Sequence, residues 1–194
     1  MSEFTIERLG DKGDRVAAGP VFVPRTLPGE VVTGDVQGDR VAQPRIVTPS
    51  DDRVSAPCRH YKSCGGCALQ HASDGFVASW KTSVEQMAPA AQGVEATFRP
   101  IIVSPSFSRR RAAFSGRRTK KGALVGFHAT ASDVITPIPD CQLVTPALRE
   151  ALPLCEALTI AGGSRKAELS LNVTETDQGL DVAVQGGKPL DMAM

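Results

Sequence analysis

Cys58, Cys64 and Cys67 form a C-x5-C-x2-C run, and Cys141 stands far downstream. The run reads Cys58-Arg-His-Tyr-Lys-Ser-Cys64-Gly-Gly-Cys67-Ala-Leu-Gln-His71. Three clustered thiolates with a distant fourth are how a protein holds a cubane iron–sulfur cluster. That reading constrains the fold, because residue 141 must come back to the loop at 58–67. Gly65 and Gly66 have no Cβ, so the backbone there can turn tightly and approach an inorganic core. Zinc is the competing reading, but a four-cysteine zinc site usually presents two C-x2-C pairs and this chain has one. Cys64-Gly-Gly-Cys67 also has the redox C-x-x-C form, without the strand–helix surroundings of a thioredoxin-like motif. A disulfide framework is disfavoured. The cysteines number five, and the polar start Met1-Ser-Glu-Phe-Thr is not a secretory signal and points to the cytoplasm.

The net charge of +1 conceals segregation. Residues 1–57 hold 7 basic and 9 acidic groups, and residues 122–194 hold 4 and 9. Residues 99–121 hold 8 basic groups and no acid. A local excess of this kind attracts a polyanion even when the whole chain is nearly neutral. No run approaches the roughly 18–20 apolar residues of a membrane span, so no membrane partner is expected. A soluble monomer is.

The chain reads as an all-β N-terminal part followed by an α+β domain. Residues 1–52 carry short apolar runs punctuated by turns at Gly10–Gly13, Pro28-Gly29 and Gly38-Asp39, the pattern of a small OB-like β-barrel. Within residues 53–194, a helix is expected over 75–88, capped by Ser73 or Asp74. Phe76, Trp80, Val84 and Met87 then share one face, and Trp80 is expected in the core. Strands are expected over 96–104, 108–118 and 123–128, the last two joined by a turn at 119–122. Thr145-Pro146 starts a helix over 146–158 that Pro153 should kink or split. A final hairpin turns at Asp177-Gln-Gly179. Cys155 falls on an apolar helix face as a small core residue. His71 and His128 read as hydrogen-bonded structural histidines.

The basic stretch 99–128 is the candidate nucleic-acid surface. On a strand, Arg109, Arg111, Ser115 and Arg117 share one face, while Arg110, Ala112, Phe114 and Arg118 share the other. Arginine on both faces means that some must point away from any core. Guanidinium groups match phosphate in a bidentate way, and Lys120 and Lys121 add point charges at the turn. The competing reading is a solvated hairpin whose arginines pair with acids of residues 122–194. Arg15, Arg25, Arg40 and Arg45 offer a weaker second cluster in the N-terminal part.

Cys58…Cys64-Gly-Gly-Cys67-Ala-Leu-Gln70-His71, followed by Trp80-Lys81, resembles the bacterial RNA (uracil-5-)-methyltransferases of the 4Fe-4S, 23S rRNA-modifying type. Val21-Phe-Val-Pro-Arg-Thr-Leu-Pro-Gly-Glu30-Val-Val resembles the core of their TRAM domain. Ser108–Phe114, Gly126–His128 and Ile138-Pro-Asp-Cys141 resemble the segment with the fourth cluster ligand. The resemblance spans about residues 4–184. It implies a 4Fe-4S cluster on Cys58, Cys64, Cys67 and Cys141, a TRAM-type barrel over 1–52, and RNA as partner, rRNA ahead of tRNA. Such enzymes continue into a Rossmann-like S-adenosylmethionine domain carrying the catalytic cysteine and base. That domain is expected to be absent from this chain, which would then lack catalytic and S-adenosylmethionine-binding residues and be inactive alone. In the complete enzyme, a cysteine would attack C6 of a flipped uracil before methyl transfer to C5. The alternative is a stand-alone iron–sulfur protein that binds nucleic acid or senses oxidation.

Overall fold

The fold is described from a computed structural model that covers residues 2–10, 15–17, 19 and 21–188. The chain divides into two compact units, Met1–Ala56 with Ala68–Val103, and Pro57–Cys67 with Ser104–Met194. Among the described residues, no helix is long and apolar enough to cross a membrane.

The first unit carries a seven-stranded sheet. Its strands are β1 (Ser2–Leu9), β2 (Arg15–Ala17), β3 (Val21–Phe22), β4 (Val31–Gly34), β5 (Val36–Gln37), β6 (Arg40–Val41) and β7 (Arg45–Thr48). β1 serves two partners. Its first half pairs with β4, with Phe4 opposite Val32. Its second half pairs with β2, with Ile6 opposite Ala17, and the register shifts between Ile6 and Arg8. Such a shift bends a strand and increases its twist. Ile6, Ala17, Val23, Val32 and Val41 form the small core beneath it.

The expected OB-like barrel followed by an α+β domain is corrected here. The strand order is β5-β6-β3-β2-β1-β4-β7, with β5 and β7 as the outer strands, and the β3–β6 pair is parallel. The unit is therefore a mixed sheet rather than a closed barrel. Alternation and turn residues report that strands exist, but closure requires the first and last strands of the order to pair, which local pattern does not encode. Residues 11–13 of the expected Gly10–Gly13 turn lie outside the described residues.

The same unit holds α1 (Asp74–Ala90). Ser73 is its N-cap, and its hydroxyl accepts the Phe76 N–H at 3.1 Å, satisfying one of the unpaired donors of the first turn. The Ser73 hydroxyl also donates to Asp52 at 2.7 Å. Trp80 was expected in a core, yet no residue of α1 is buried and Met87 is 55% exposed. Periodicity identifies an apolar face but not whether a surface covers it. The strand expected over 96–104 does not form, and residues 91–108 hold neither helix nor strand.

The second unit is a five-stranded antiparallel sheet in the order β10-β9-β8-β11-β12. Its strands are β8 (Arg111–Arg118), β9 (Ala123–His128), β10 (Ile135–Pro137), β11 (Leu169–Thr176) and β12 (Gly179–Gln185). Two helices, α2 (Pro146–Glu150) and α3 (Leu152–Gly162), pack on it. Pro153 sits in the first turn of α3, so the expected split falls at Ala151. Ala112, Phe114 and Val125 of the sheet meet Leu148, Leu152 and Cys155 of the helices. Gly116 on the same face has no room for a side chain, because a Cβ there would run into Thr159 of α3.

Candidate functional site

All four candidate ligand cysteines belong to the second unit. None of the five cysteines is disulfide-bonded. Cys58 and Cys141 are buried, Cys64 and Cys67 half-buried. The cysteine loop folds on itself first. Tyr61 N–H donates to Cys58 C=O at 3.0 Å, and Cys64 N–H donates to His60 C=O at 2.7 Å. It is then stitched to the sheet. Gly65 N–H donates to His128 C=O at the end of β9 at 2.8 Å, and the Thr136 hydroxyl of β10 donates to Ser63 C=O at 3.2 Å.

Both neighbours of Cys141 hold the other end of the loop. Asp140 pairs with Arg59, and the Gln142 amide donates to Pro57 C=O at 2.9 Å. The residues flanking Cys58 are thus tied to the residues flanking Cys141. Cys141 N–H itself donates to Ile138 C=O at 3.1 Å, closing a turn off β10. Asp140 and Gln142 were not singled out in the sequence; their position beside Cys141 is the signal that would have found them.

The glycines between Cys64 and Cys67 are needed for close approach. A Cβ on Gly65 would lie 2.8 Å from His128 O and 3.0 Å from Thr130 N, both backbone atoms. A Cβ on Gly66 would lie 3.1 Å from the Phe127 ring and 3.4 Å from Cys64 Sγ. Gly66 N–H donates to Cys64 Sγ at 3.3 Å. Burial pushes the Cys64 thiol up, the Gly66 N–H works against that, and the nearby Cys141 and Cys58 add to the rise. Cys64 is therefore within electrostatic reach of both the distant cysteine and the first one.

His60, inside the loop, has a buried Nε2 without a hydrogen-bond partner among the described residues. Among those residues, no three His, Cys, Asp or Glu side chains gather tightly enough to hold one metal ion. Cubane ligation makes a different demand, one thiolate per corner of a cluster rather than several around one atom. The donor set fits that demand in its chemistry: four cysteines, three in one loop, with small residues and an unpartnered buried donor beside them. His71 is 3% exposed and its Nε2 lies 3.2 Å from Thr26 C=O, a structural role within the first unit.

The basic residues occupy the ends of β8 and the turn after it. Arg111 and Arg117 share the open face of β8 with Ala113 and Ser115, while Ala112, Phe114 and Gly116 face the helices. Arg109 and Arg110 precede the strand. Arg111 Nε donates to Thr174 Oγ1 at 3.2 Å, and Arg110 reaches Asp177 at 3.5 Å. Arg117 pairs with Glu168, which also meets His128 Nε2 at 2.8 Å. Arg109, Arg118, Lys120 and Lys121 are exposed and form no ion pair with a described residue. Phe114 is 1% exposed, with its ring 5.4 Å from that of Phe127. A shallow concavity of about 370 Å³ is lined by Gly65 and Gly66 of the loop, Ala113 and Ser115 of β8, Phe127, and residues 128–131.

No family model matches the chain. Curated relatives do. An uncharacterised RNA methyltransferase of Rhizobium meliloti is 38% identical over 196 residues, covering 96% of this chain and 47% of the relative. The 23S rRNA (uracil(1939)-C(5))-methyltransferase RlmD of Methylococcus capsulatus is 35% identical over 213 residues, covering 85% and 46%. Among solved structures, the Pyrococcus abyssi tRNA (uracil-54, C5)-methyltransferase in complex with S-adenosyl-L-homocysteine matches with a TM-score of 0.64. It is 20% identical and covers 97% of this chain and 47% of that one, a likeness of fold. The resemblance to RNA methyltransferases drawn from the cysteine motif therefore holds. The chain spans about half the length of the curated relatives it matches. The solved methyltransferase follows this chain almost throughout, so the expectation that set the chain apart by a missing Rossmann-like domain is withdrawn.

Proposed function

We propose that this chain is the RNA-gripping and cluster-holding part of an S-adenosylmethionine-dependent RNA methyltransferase that makes 5-methyluridine, in rRNA ahead of tRNA. The observation that carries the reading is the double tie between the cysteine loop and the Cys141 turn, Arg59 to Asp140 and Pro57 to Gln142. It joins the residues around the first and last cysteines of a motif whose relatives are named RNA methyltransferases. Cys58, Cys64, Cys67 and Cys141 would hold a 4Fe-4S cluster, which with every corner held by thiolate supplies a structural clamp rather than a reactive iron.

The chain's own residues then do the binding. Arg109, Arg118, Lys120 and Lys121 present charge that no acid of the described residues neutralises, and phosphate is the partner that charge suits. Arg110, Arg111 and Arg117 are already held by Asp177, Thr174 and Glu168. They contribute orientation at the edge of that surface. The small residues Gly65, Gly66, Ala113 and Ser115 leave a concavity beside them in which backbone or base can approach closely. No residue of this chain is assigned to S-adenosylmethionine, the catalytic cysteine or the base.

The test is release of tritium from RNA labelled at uracil C5. A protein joining this chain to the remainder of the Rhizobium meliloti relative should release it in the presence of S-adenosylmethionine, and the 194-residue chain alone should not. Methylation at another position, with no tritium released, would overturn the assignment.

A further inference from the structure

We propose that Glu168 is a positioning residue: it braces the cysteine loop through His128, and in doing so it holds Arg117 away from RNA phosphate. The RNA arm of this rests on the function proposed above, and the loop arm does not.

Glu168 directly precedes β11, and the pairing of Leu169 with Gly116 sets it beside Arg117. Its carboxylate has two claimants. One oxygen pairs with Arg117, and the other accepts from His128 Nε2 at 2.8 Å. Arg117 Nη2 also donates to Asp133 C=O at 3.3 Å, in the turn between β9 and β10. The Glu168 side chain is 23% exposed, so water screens both pairs only in part. Its backbone is crowded too, since a Cβ on Gly186 would lie 3.0 Å from Glu168 O.

His128 passes the restraint on. Its C=O accepts Gly65 N–H at 2.8 Å, inside the Cys64–Cys67 turn. A Cβ on Gly65 would also lie 3.1 Å from Ala129 C, so the loop and the end of β9 meet without slack. The β9–β10 ladder reaches its last rung here, with Ile135 opposite His128. Ladder ends open most readily, so a side-chain brace has most effect at such a place. Among the described residues, the His128 ring has no other polar partner. Glu168 thus fixes the side chain of the residue whose backbone fixes the loop.

The same contact decides what Arg117 can do. Its neighbours Arg118, Lys120 and Lys121 form no ion pair with a described residue, whereas Arg117 is taken by a carboxylate. A guanidinium engaged by carboxylate cannot give the same N–H groups to phosphate. One acid on the basic surface therefore trades RNA grip for order in the cysteine loop.

The experiment combines hydrogen exchange with an RNA titration, both on the 194-residue chain. Glu168→Gln keeps the shape of the side chain and removes its charge. The peptide holding Gly65 should then exchange about threefold faster, the size of a partly exposed ion pair, while β1 and β4 stay unchanged. His128→Ala should give the same acceleration, and adding Glu168→Gln to it should give no more. Affinity for a short oligouridylate, read by anisotropy, should move the other way. It should be about threefold tighter in Glu168→Gln, and no tighter when Arg117→Ala is present as well. A general loss of structure would weaken both readouts rather than move them in opposite directions. Unchanged Gly65 exchange in Glu168→Gln would overturn the brace. An affinity that stays the same, or that rises equally in the Arg117→Ala background, would overturn the hold on Arg117. Failure of the unaltered chain to bind oligouridylate would count against the proposed function, and Gly65 exchange would still decide the brace.

Discussion

Glu30 is the most consequential buried charge in the first unit. Its side chain is 0% exposed. The carboxylate accepts Leu27 N–H at 2.8 Å, Ser50 N–H at 3.2 Å, and Arg53 Nε and Nη2 at 2.5 and 2.7 Å. Arg53 Nη2 also donates to Arg25 C=O at 2.9 Å. One carboxylate thus ties the start of β4 to the chain beyond β7. Removing one partner of a buried pair costs about 3–5 kcal/mol, because the other charge is left without compensation. The Arg53 side chain is 22% exposed, so water enters when it is cut back and Arg53→Ala should sit near the bottom of that range, at about 3 kcal/mol. At about 1.36 kcal/mol per tenfold, exchange of the β1 and β4 amides should accelerate about 150-fold. Hydrogen exchange is the suitable assay, since β8 and β11 of the second unit serve as an internal control. Glu30→Ala should cost more, because Leu27 and Ser50 N–H lose their acceptor too. Acceleration below about fivefold in Arg53→Ala would put the pair at or under the roughly 1 kcal/mol of an exposed salt bridge and refute the reasoning.

Acid should expose the same hub. Burial pushes the Glu30 carboxyl up, but Arg53 and the two backbone N–H groups outweigh it and hold the pKa below the ordinary 4.5. A carboxyl with a depressed native pKa stabilises fully above its unfolded value and loses that contribution as pH falls through the native one. The β1 and β4 amides should therefore keep their protection above pH 4.5 and lose it below, and Glu30→Gln should flatten this dependence. Gly65→Ala forces a Cβ to 2.8 Å from His128 O, and should destabilise the loop by about 1–3 kcal/mol and lower bound iron per chain. Replacing Arg118, Lys120 and Lys121 with alanine should weaken binding to single-stranded RNA at all sequences. The slope of log affinity against log salt should fall by about 2, at roughly 0.7 per phosphate contact, in an anisotropy titration.

Much of this architecture was legible where the signal is local. Ser73 capped α1 within a residue of expectation, Pro153 divided the helix after Thr145, and β9 ran over the span expected after the turn at 119–122. Cys155 proved to be core, at 0% exposed. The misses share a cause. Ile101–Val103 has strand sequence, but a strand exists only with a partner, and none of the described strands takes it. Trp80 lies on an apolar stripe whose covering surface is not encoded in its spacing. Closure of the N-terminal strands depended on pairing between the ends of the sheet. Glu30 stood out only as a residue following the Pro28-Gly29 turn, because its partner Arg53 lies on the far side of four strands. At the site, the ties through Arg59, Asp140 and Gln142 were not legible, since each is a long-range pairing of ordinary surface residues.

The central claim is that the loop at 58–67 and Cys141 close on one cubane cluster. Its most direct test is purification of the chain without oxygen, with the visible spectrum and iron and sulfide contents measured on one sample. The account predicts a brown protein with a broad band near ~400 nm and about four irons and four sulfides per chain, and a collapse of both counts in Cys141→Ser. A colourless protein, or one holding a single zinc, would contradict it.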